Sequence, residues 1–181
     1  MTVFVTGAAG FIGRHVSKAV ARTGAKVIGI GHGNFADHAQ WGVAKWVQGD
    51  IDDSNLEIAA SQFGAPEILF HLAGGSSVGP SIEQPLEDFR RTVLSTAQLL
   101  DWTRRRAPTA CVLAASSAAV YGDVHSAPIS EAASLSPLSP YGAHKLMMEQ
   151  LLSTYGRSFG VRGVIARPFS MPDAMRVLIK L

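Results

Sequence analysis

The sequence holds a single cysteine, Cys111, in 181 residues. An internal disulfide is excluded, and so is a metal site built on several thiolates. A lone thiol fits a reducing compartment, and a cytoplasmic protein is expected. Charge is also scarce. Only 17% of residues are charged, and 16 basic against 14 acidic side chains leave a net charge of +2. That balance argues against nucleic acid or an anionic membrane as the main partner. No run approaches 18 consecutive apolar residues, so no transmembrane helix is expected. The first residues lack a basic stretch, and glycines soon break their apolar run, unlike a signal peptide. The six histidines show no metal-ligand spacing, and no metal is expected.

What is abundant is apolar residues, at 47%. A chain this long buries roughly 70% of its unfolded surface and needs no covalent staple. Short apolar runs at 3–6, 26–30, 45–48, 68–72, 110–114 and 163–166 read as strands. Most are continuous, as in parallel strands covered on both faces. Between them lie helical stripes: Ile12, Val16 and Ala19; then Leu86, Phe89, Val93, Ala97 and Leu100 behind Pro85; then Met147, Leu151 and Tyr155. This alternation predicts an α/β fold, a doubly wound parallel sheet of Rossmann type in three α/β/α layers. One domain is expected over 1–170, with a tail over 171–181 in which Val177 to Ile179 could add an edge strand. Residues 128–140, with three prolines and four serines, read as a loop. Arg104, Arg105 and Arg106 are expected to complement a helix dipole. His144 is expected to face solvent, and Trp41, Trp46 and Trp102 to pack.

Gly7-Ala-Ala-Gly10-Phe-Ile-Gly13 follows the first strand and opens the first helix. Gly7 permits a tight turn, Gly10 lets backbone approach a pyrophosphate, and Gly13 lets helix and strand pack closely. The helix N-terminus then presents N–H groups to phosphates. The expected acid at the tip of the second strand is missing: Gly31 stands there, and Asp37 lies further along. Without that acid NAD and NADP both remain open, with Arg14 the nearest basic group in the first helix. Asp50 ends the third strand, placed either to accept from an adenine amino group or simply to make a turn.

Tyr141 and Lys145 are four apart at the start of a helix and share a face. A neighbouring ammonium stabilises a phenolate and makes a tyrosine usable as a base near neutral pH. Ser116 and Ser117 end the fifth strand, at the carboxyl edge where such sheets bind ligands.

With these residues in this order, the chain resembles the nucleotide-sugar epimerases of the extended short-chain dehydrogenase/reductase family. The carrying stretches are VTGAAGFIG (5–13), GDIDD (49–53), HLAG (71–74), SSAAVYGD (116–123), PISE (128–131), SPYGAHKLMMEQ (139–150) and ARPFS (166–170). The resemblance implies catalytic roles for Ser117, Tyr141 and Lys145. It implies cofactor contacts at Gly7, Gly10, Phe11, Ile12, Gly13, Asp50, Ile51, Leu72, Ala73, Gly74, Tyr141 and Lys145. Ser76 and Ser117 would meet a nucleotide-sugar substrate. The cofactor would be NAD, with NADP not excluded, and the chemistry a hydride transfer through a 4-keto sugar. A homodimer is implied, joined in a four-helix bundle by helices over 86–104 and 141–157.

Ala118 and Ala119 follow Ser117 where the family's sugar dehydratases carry acids. That leaves an epimerase or an NADPH-dependent keto-sugar reductase; a non-catalytic cofactor-binding module is the alternative from another class. The sequence departs from the family at Gly31, at Thr92 where asparagine is common, and at Ser76 where many 4-epimerases have a basic residue. The family continues beyond ARPFS into a substrate lobe, whereas eleven residues follow here. Poor turnover of nucleotide sugars by this chain alone is therefore expected.

Overall fold

The structure, a computed structural model, describes residues 1–123 and 128–169. The expected strand over 177–179, the tail over 171–181, Ser170 and His125 lie outside these residues. In chain order the elements are β1 (Thr2–Thr6), α1 (Phe11–Ala21), β2 (Lys26–Gly31), β3 (Val43–Gln48), α2 (Asp53–Phe63), β4 (Ile68–His71) and α3 (Val78–Glu83). They continue with α4 (Pro85–Phe89), a π-helical turn (Arg90–Leu94), α5 (Ser95–Arg106), β5 (Cys111–Ala115), α6 (Pro140–Phe159) and β6 (Arg162–Ala166). Pro85 opens α4, where its missing N–H is no loss. Asp52 caps α2 by accepting from the Asn55 N–H. No stripe in the sequence marked α2 or α3.

The six strands among the described residues are parallel, in the order β3-β2-β1-β4-β5-β6. The chain reverses direction of travel between β1 and β4, so the loops leaving their carboxyl ends diverge and open a crevice. On one face Phe4, Ile28, Leu69, Leu100, Trp102 and Met148 join a core under α2, α5 and α6. On the other, Val3, Val5, Val27, Phe35 and Val43 pack under α1.

Among the described residues, only β1 and β2 are covered on both faces. β4 and β5 alternate between buried and half-buried residues. Register puts Ile68, Phe70, Cys111, Leu113 and Val164 on the α1 side, and Val164 is exposed. Among the described residues no helix lies over that part of the sheet. Likewise among them, no helix is long and apolar enough to cross a membrane.

One packing expectation needs correction. In α1 the buried residues are Gly13 and Ser17, while Ile12 is 46% exposed and Ala19 is also exposed. At Gly13 the helix lies so close to the Gly7–Ala8 turn that a Cβ would overlap its backbone. Arg105 and Arg106 reach across to Asp53 and Glu57 of α2, each at 2.5 Å, in addition to ending α5.

Candidate functional site

The crevice begins at the glycine turn. Gly7 has φ +67° and donates its N–H to the Ile30 carbonyl at 2.8 Å. A Cβ there would lie 2.8 Å from the Ala73 nitrogen, so the turn sits directly against the end of β4. Gly10 is extended at the N-cap of α1, and no side chain caps that helix. Its first N–H groups therefore face the crevice, available to phosphate oxygens. A Cβ on Gly13 would overlap the Gly7 carbonyl. Phe11 and Ile12 are exposed beside Gly10. This open glycine cradle, with uncapped N–H groups, fits a dinucleotide's pyrophosphate.

At the tips of β2 and β3 the side chains already have partners within the chain. A side chain at Gly31 would press on Trp46, 3.1 Å from the Cβ position. Asp50 is exposed and meets His32 at 2.8 Å. The Ile51 side chain is buried in the core. Asp37 is occupied by Trp41 Nε1, at 3.1 Å, and by Arg14.

Beyond β4 a polar chain fixes the crevice floor. The Ala73 N–H donates to Thr6 Oγ1, which lies 2.8 Å from His71 Nδ1. His71 Nε2 lies 2.9 Å from Thr96 Oγ1, which in turn donates to the Thr92 carbonyl. Because the Thr96 hydroxyl hydrogen is committed, His71 must carry its proton on Nε2. Burial, with a smaller contribution from Lys145, lowers the His71 pKa to about 3. The imidazole therefore stays neutral.

The opposite wall is α6. Ser139 caps it by accepting from the Gly142 N–H at 3.1 Å, and the Tyr141 N–H donates to Ser81 Oγ at 3.0 Å. Lys145 is buried one turn on. Its ammonium donates to the Ala115 carbonyl at 3.0 Å and lies 5.8 Å from the centre of the Tyr141 ring. A Cβ on Gly74 would come within 3.1 Å of that nitrogen. Ser117 begins a short 3-10 turn after β5, and its oxygen accepts from the Ala119 N–H. The oxygen is thereby oriented while its hydrogen can still be donated. Strand β5, the Gly74 turn and α6 thus meet around Lys145. Ser76 is exposed on the wall of a cavity of about 340 Å³ shared with Gly74, Gly75, Asp88 and Arg91.

Burial lowers the Lys145 pKa from 10.5 to about 8, against the opposing charge of Asp88. Folding thus disfavours the ammonium. The penalty, about 3 kcal/mol at one pKa unit per 1.36 kcal/mol, is complete below pH 8. It falls as pH rises toward 10.5, where the unfolded chain also loses the proton. Lys145→Met should raise stability at pH 7 by roughly 1–3 kcal/mol, less the effect of the unpaired Ala115 carbonyl. Thermal unfolding measures it; the advantage should shrink above pH 8. A difference from the parent that stays the same from pH 7 to pH 10 would contradict the assignment.

Two buried pairs escaped the sequence reading. Arg167 forks onto Glu149 at 2.9 and 2.7 Å, Ser116 also donates to Glu149, and Arg167 reaches the Tyr121 hydroxyl. Glu149 lies one turn beyond Lys145, which was the available signal. The other pair corrects an expectation: His144 does not face solvent. Its side chain is 12% exposed, and Nδ1 meets Asp88 Oδ2 at 2.5 Å.

Comparison with known proteins bears on this geometry. The chain is 36% identical to a UDP-glucose 4-epimerase of Azospirillum brasilense over 173 residues, covering 95% of this chain and 49% of that protein. Its structure is similar to the UDP-glucose 4-epimerase of Brucella ovis in complex with NAD, with a TM-score of 0.85 and 34% identity over 93% of this chain and 52% of that one. It is also similar to the UDP-glucuronic acid 4-epimerase of Bacillus cereus in complex with NAD, with a TM-score of 0.79 and 28% identity over 94% of this chain and 57% of that one. The chain thus spans about half the length of the curated relatives it matches. Residues 3–172 match the family model itself, and the chain belongs to the NAD dependent epimerase/dehydratase family.

Proposed function

We propose that this chain is the dinucleotide-binding and catalytic half of a nucleotide-sugar 4-epimerase that uses NAD. The observation that carries the reading is the meeting of Lys145, Tyr141 and the Gly74 turn at the carboxyl edge of the sheet, opposite the open glycine cradle. Gly7, Gly10 and Gly13 with the first turn of α1 would hold the pyrophosphate, and Leu72, Ala73 and Gly74 would border the dinucleotide. When bound, NAD supplies the hydride acceptor and donor at the sugar's C4.

The rest is done by side chains of this chain. Tyr141, as phenolate, takes the proton of the C4 hydroxyl and later returns it. The Lys145 ammonium stabilises that phenolate. Ser117 donates a hydrogen bond to the C4 oxygen and orients it. Ser76 borders the sugar, and the relatives' names point to a uridine diphosphate sugar. The lone Cys111 suits a reducing, cytoplasmic setting. Leu86, Phe89, Leu94 and Met147 are exposed, which supports a homodimer through α4, α5 and α6. A monomer by light scattering at micromolar concentration would contradict that pairing.

Sugar turnover needs contacts to the remote nucleotide diphosphate as well as to C4. We expect the 181 residues to bind cofactor and turn over UDP-sugars slowly, and the same residues joined to the second lobe of a relative to turn them over readily. Product NMR with UDP-glucose and UDP-galactose tests this. No epimerisation by the joined form would overturn the proposed activity; equal turnover by both forms would overturn the need for a second lobe.

A further inference from the structure

We infer that Asp88 and His144 are positioning residues for Lys145, a paired carboxylate and imidazole that hold the Gly74–Gly75 turn and the lysine ammonium in place. The inference rests on the proposed role of Lys145. It adds two residues to which neither the family resemblance nor the relatives' names assign any part.

The geometry is a clamp. Asp88 comes from α4 and is 6% exposed. Its Oδ2 accepts from His144 Nδ1, because a carboxylate offers no hydrogen. Its Oδ1 lies against Gly75 so closely that a Cβ there would overlap it. The Gly75 N–H donates to Thr92 Oγ1 at 2.8 Å from the adjoining π turn. Gly74, the preceding residue, faces the Lys145 ammonium and Thr92. His144 directly precedes Lys145 in α6. The Asp88 carboxylate therefore links the turn after β4 to the residue beside the lysine, and Thr92 Oγ1 links that same turn to the π turn. The Phe89 ring packs edge-on against His144 and closes the outer side.

The charges around Lys145 make Asp88 the group that matters. From β4 comes His71, kept neutral by burial. From α6 come Tyr141, His144 and Glu149, and Glu149 is held by Arg167 and Ser116. On α4 and the π turn, Glu87 and Arg91 pair with each other. Glu83 lies on α3. On α5, Asp101, Arg104, Arg105 and Arg106 lie toward the end remote from the π turn, and α5's arginines are paired with Asp101, Asp53 and Glu57. On β6, Arg162 lies at the strand's amino end. The Asp88 charge works against the burial that disfavours the ammonium. His144 aims that carboxylate by giving it a hydrogen bond.

The test is a titration of the lysine itself. The full chain has five lysines, so NMR of protein labelled with carbon-13 at lysine Cε gives few signals, and Lys145→Arg identifies one of them. Its midpoint in the parent should be near 8. Asp88→Asn keeps the shape and removes the charge, and should lower the midpoint by about half a unit or more. His144→Phe removes the aiming hydrogen bond and should lower it too. His144→Gln, which can still donate, should restore the parent value. A folded Asp88→Asn variant with the parent midpoint would overturn the inference. If that variant does not fold, the histidine pair decides: equal midpoints for Phe and Gln would overturn it. The readout needs no cofactor, so a failure of NADH binding with these shifts intact would strike the proposed function alone.

Discussion

Tyr141→Phe, placed in the form joined to a second lobe, should lower turnover by about 10²–10⁴-fold while leaving NADH affinity within about twofold. The substitution removes one oxygen and keeps the ring. The ring is what lies 5.8 Å from the Lys145 ammonium. The backbone of residue 141 is held independently, through its N–H to Ser81 Oγ. Lys145 keeps its bond to the Ala115 carbonyl. The groups that border the dinucleotide are therefore undisturbed, and only the base is lost. Turnover is followed by product NMR and affinity by NADH fluorescence. Parent-like turnover would show that another group takes the C4 proton. A large loss of NADH affinity would show that the hydroxyl belongs to binding.

The second large effect concerns the glycine turn. Gly13→Ala should destabilise the fold by roughly 1–3 kcal/mol, the usual range for overpacking. The added methyl meets backbone: it overlaps the Gly7 carbonyl and would stand 2.7 Å from Ala8 Cα. Backbone cannot rotate aside as a side-chain tip can. The Gly7 carbonyl is also fixed by the Gly10 N–H at 2.9 Å. Relief requires α1 to move off the Gly7–Ala8 turn, taking its first N–H groups away from the phosphate cradle. Each 1.4 kcal/mol of lost contact weakens binding about tenfold, and a loss of that size or more is expected for NADH. Gly79→Ala is the control, since nothing lies within 4 Å of a Cβ there and its φ is ordinary. Chemical unfolding and NADH titration read both variants. Equal behaviour of the two would contradict the close packing of α1.

These two sites were legible because their signals are local. The glycine spacing and the Tyr141–Lys145 step sit within single stretches of chain, and the strands announce themselves as β-branched runs. Packing across long separations was not legible. Asp88 and His144 are 56 residues apart, and His144 alone, inside a helix, reads as a solvated residue. In α1 the apolar stripe pointed to the wrong face: the helix buries Gly13 and Ser17, with Gly13 held tightly against the Gly7–Ala8 turn. At the tip of β2, Trp46 from β3 crowds the position a Cβ would take at residue 31, which neither strand reveals by itself. The half-covered face of β4 to β6 was hidden for a related reason. The apolar runs look alike whether a helix covers them or not.

The most direct test of the dinucleotide reading is a titration of the 181-residue chain with NAD+, NADH, NADP+ and NADPH, followed by calorimetry and nicotinamide fluorescence. Saturable one-to-one binding of NAD+ and NADH, tighter than that of the phosphorylated pair and weakened by Gly13→Ala, is the predicted result. Binding of none of the four would contradict the account at its root.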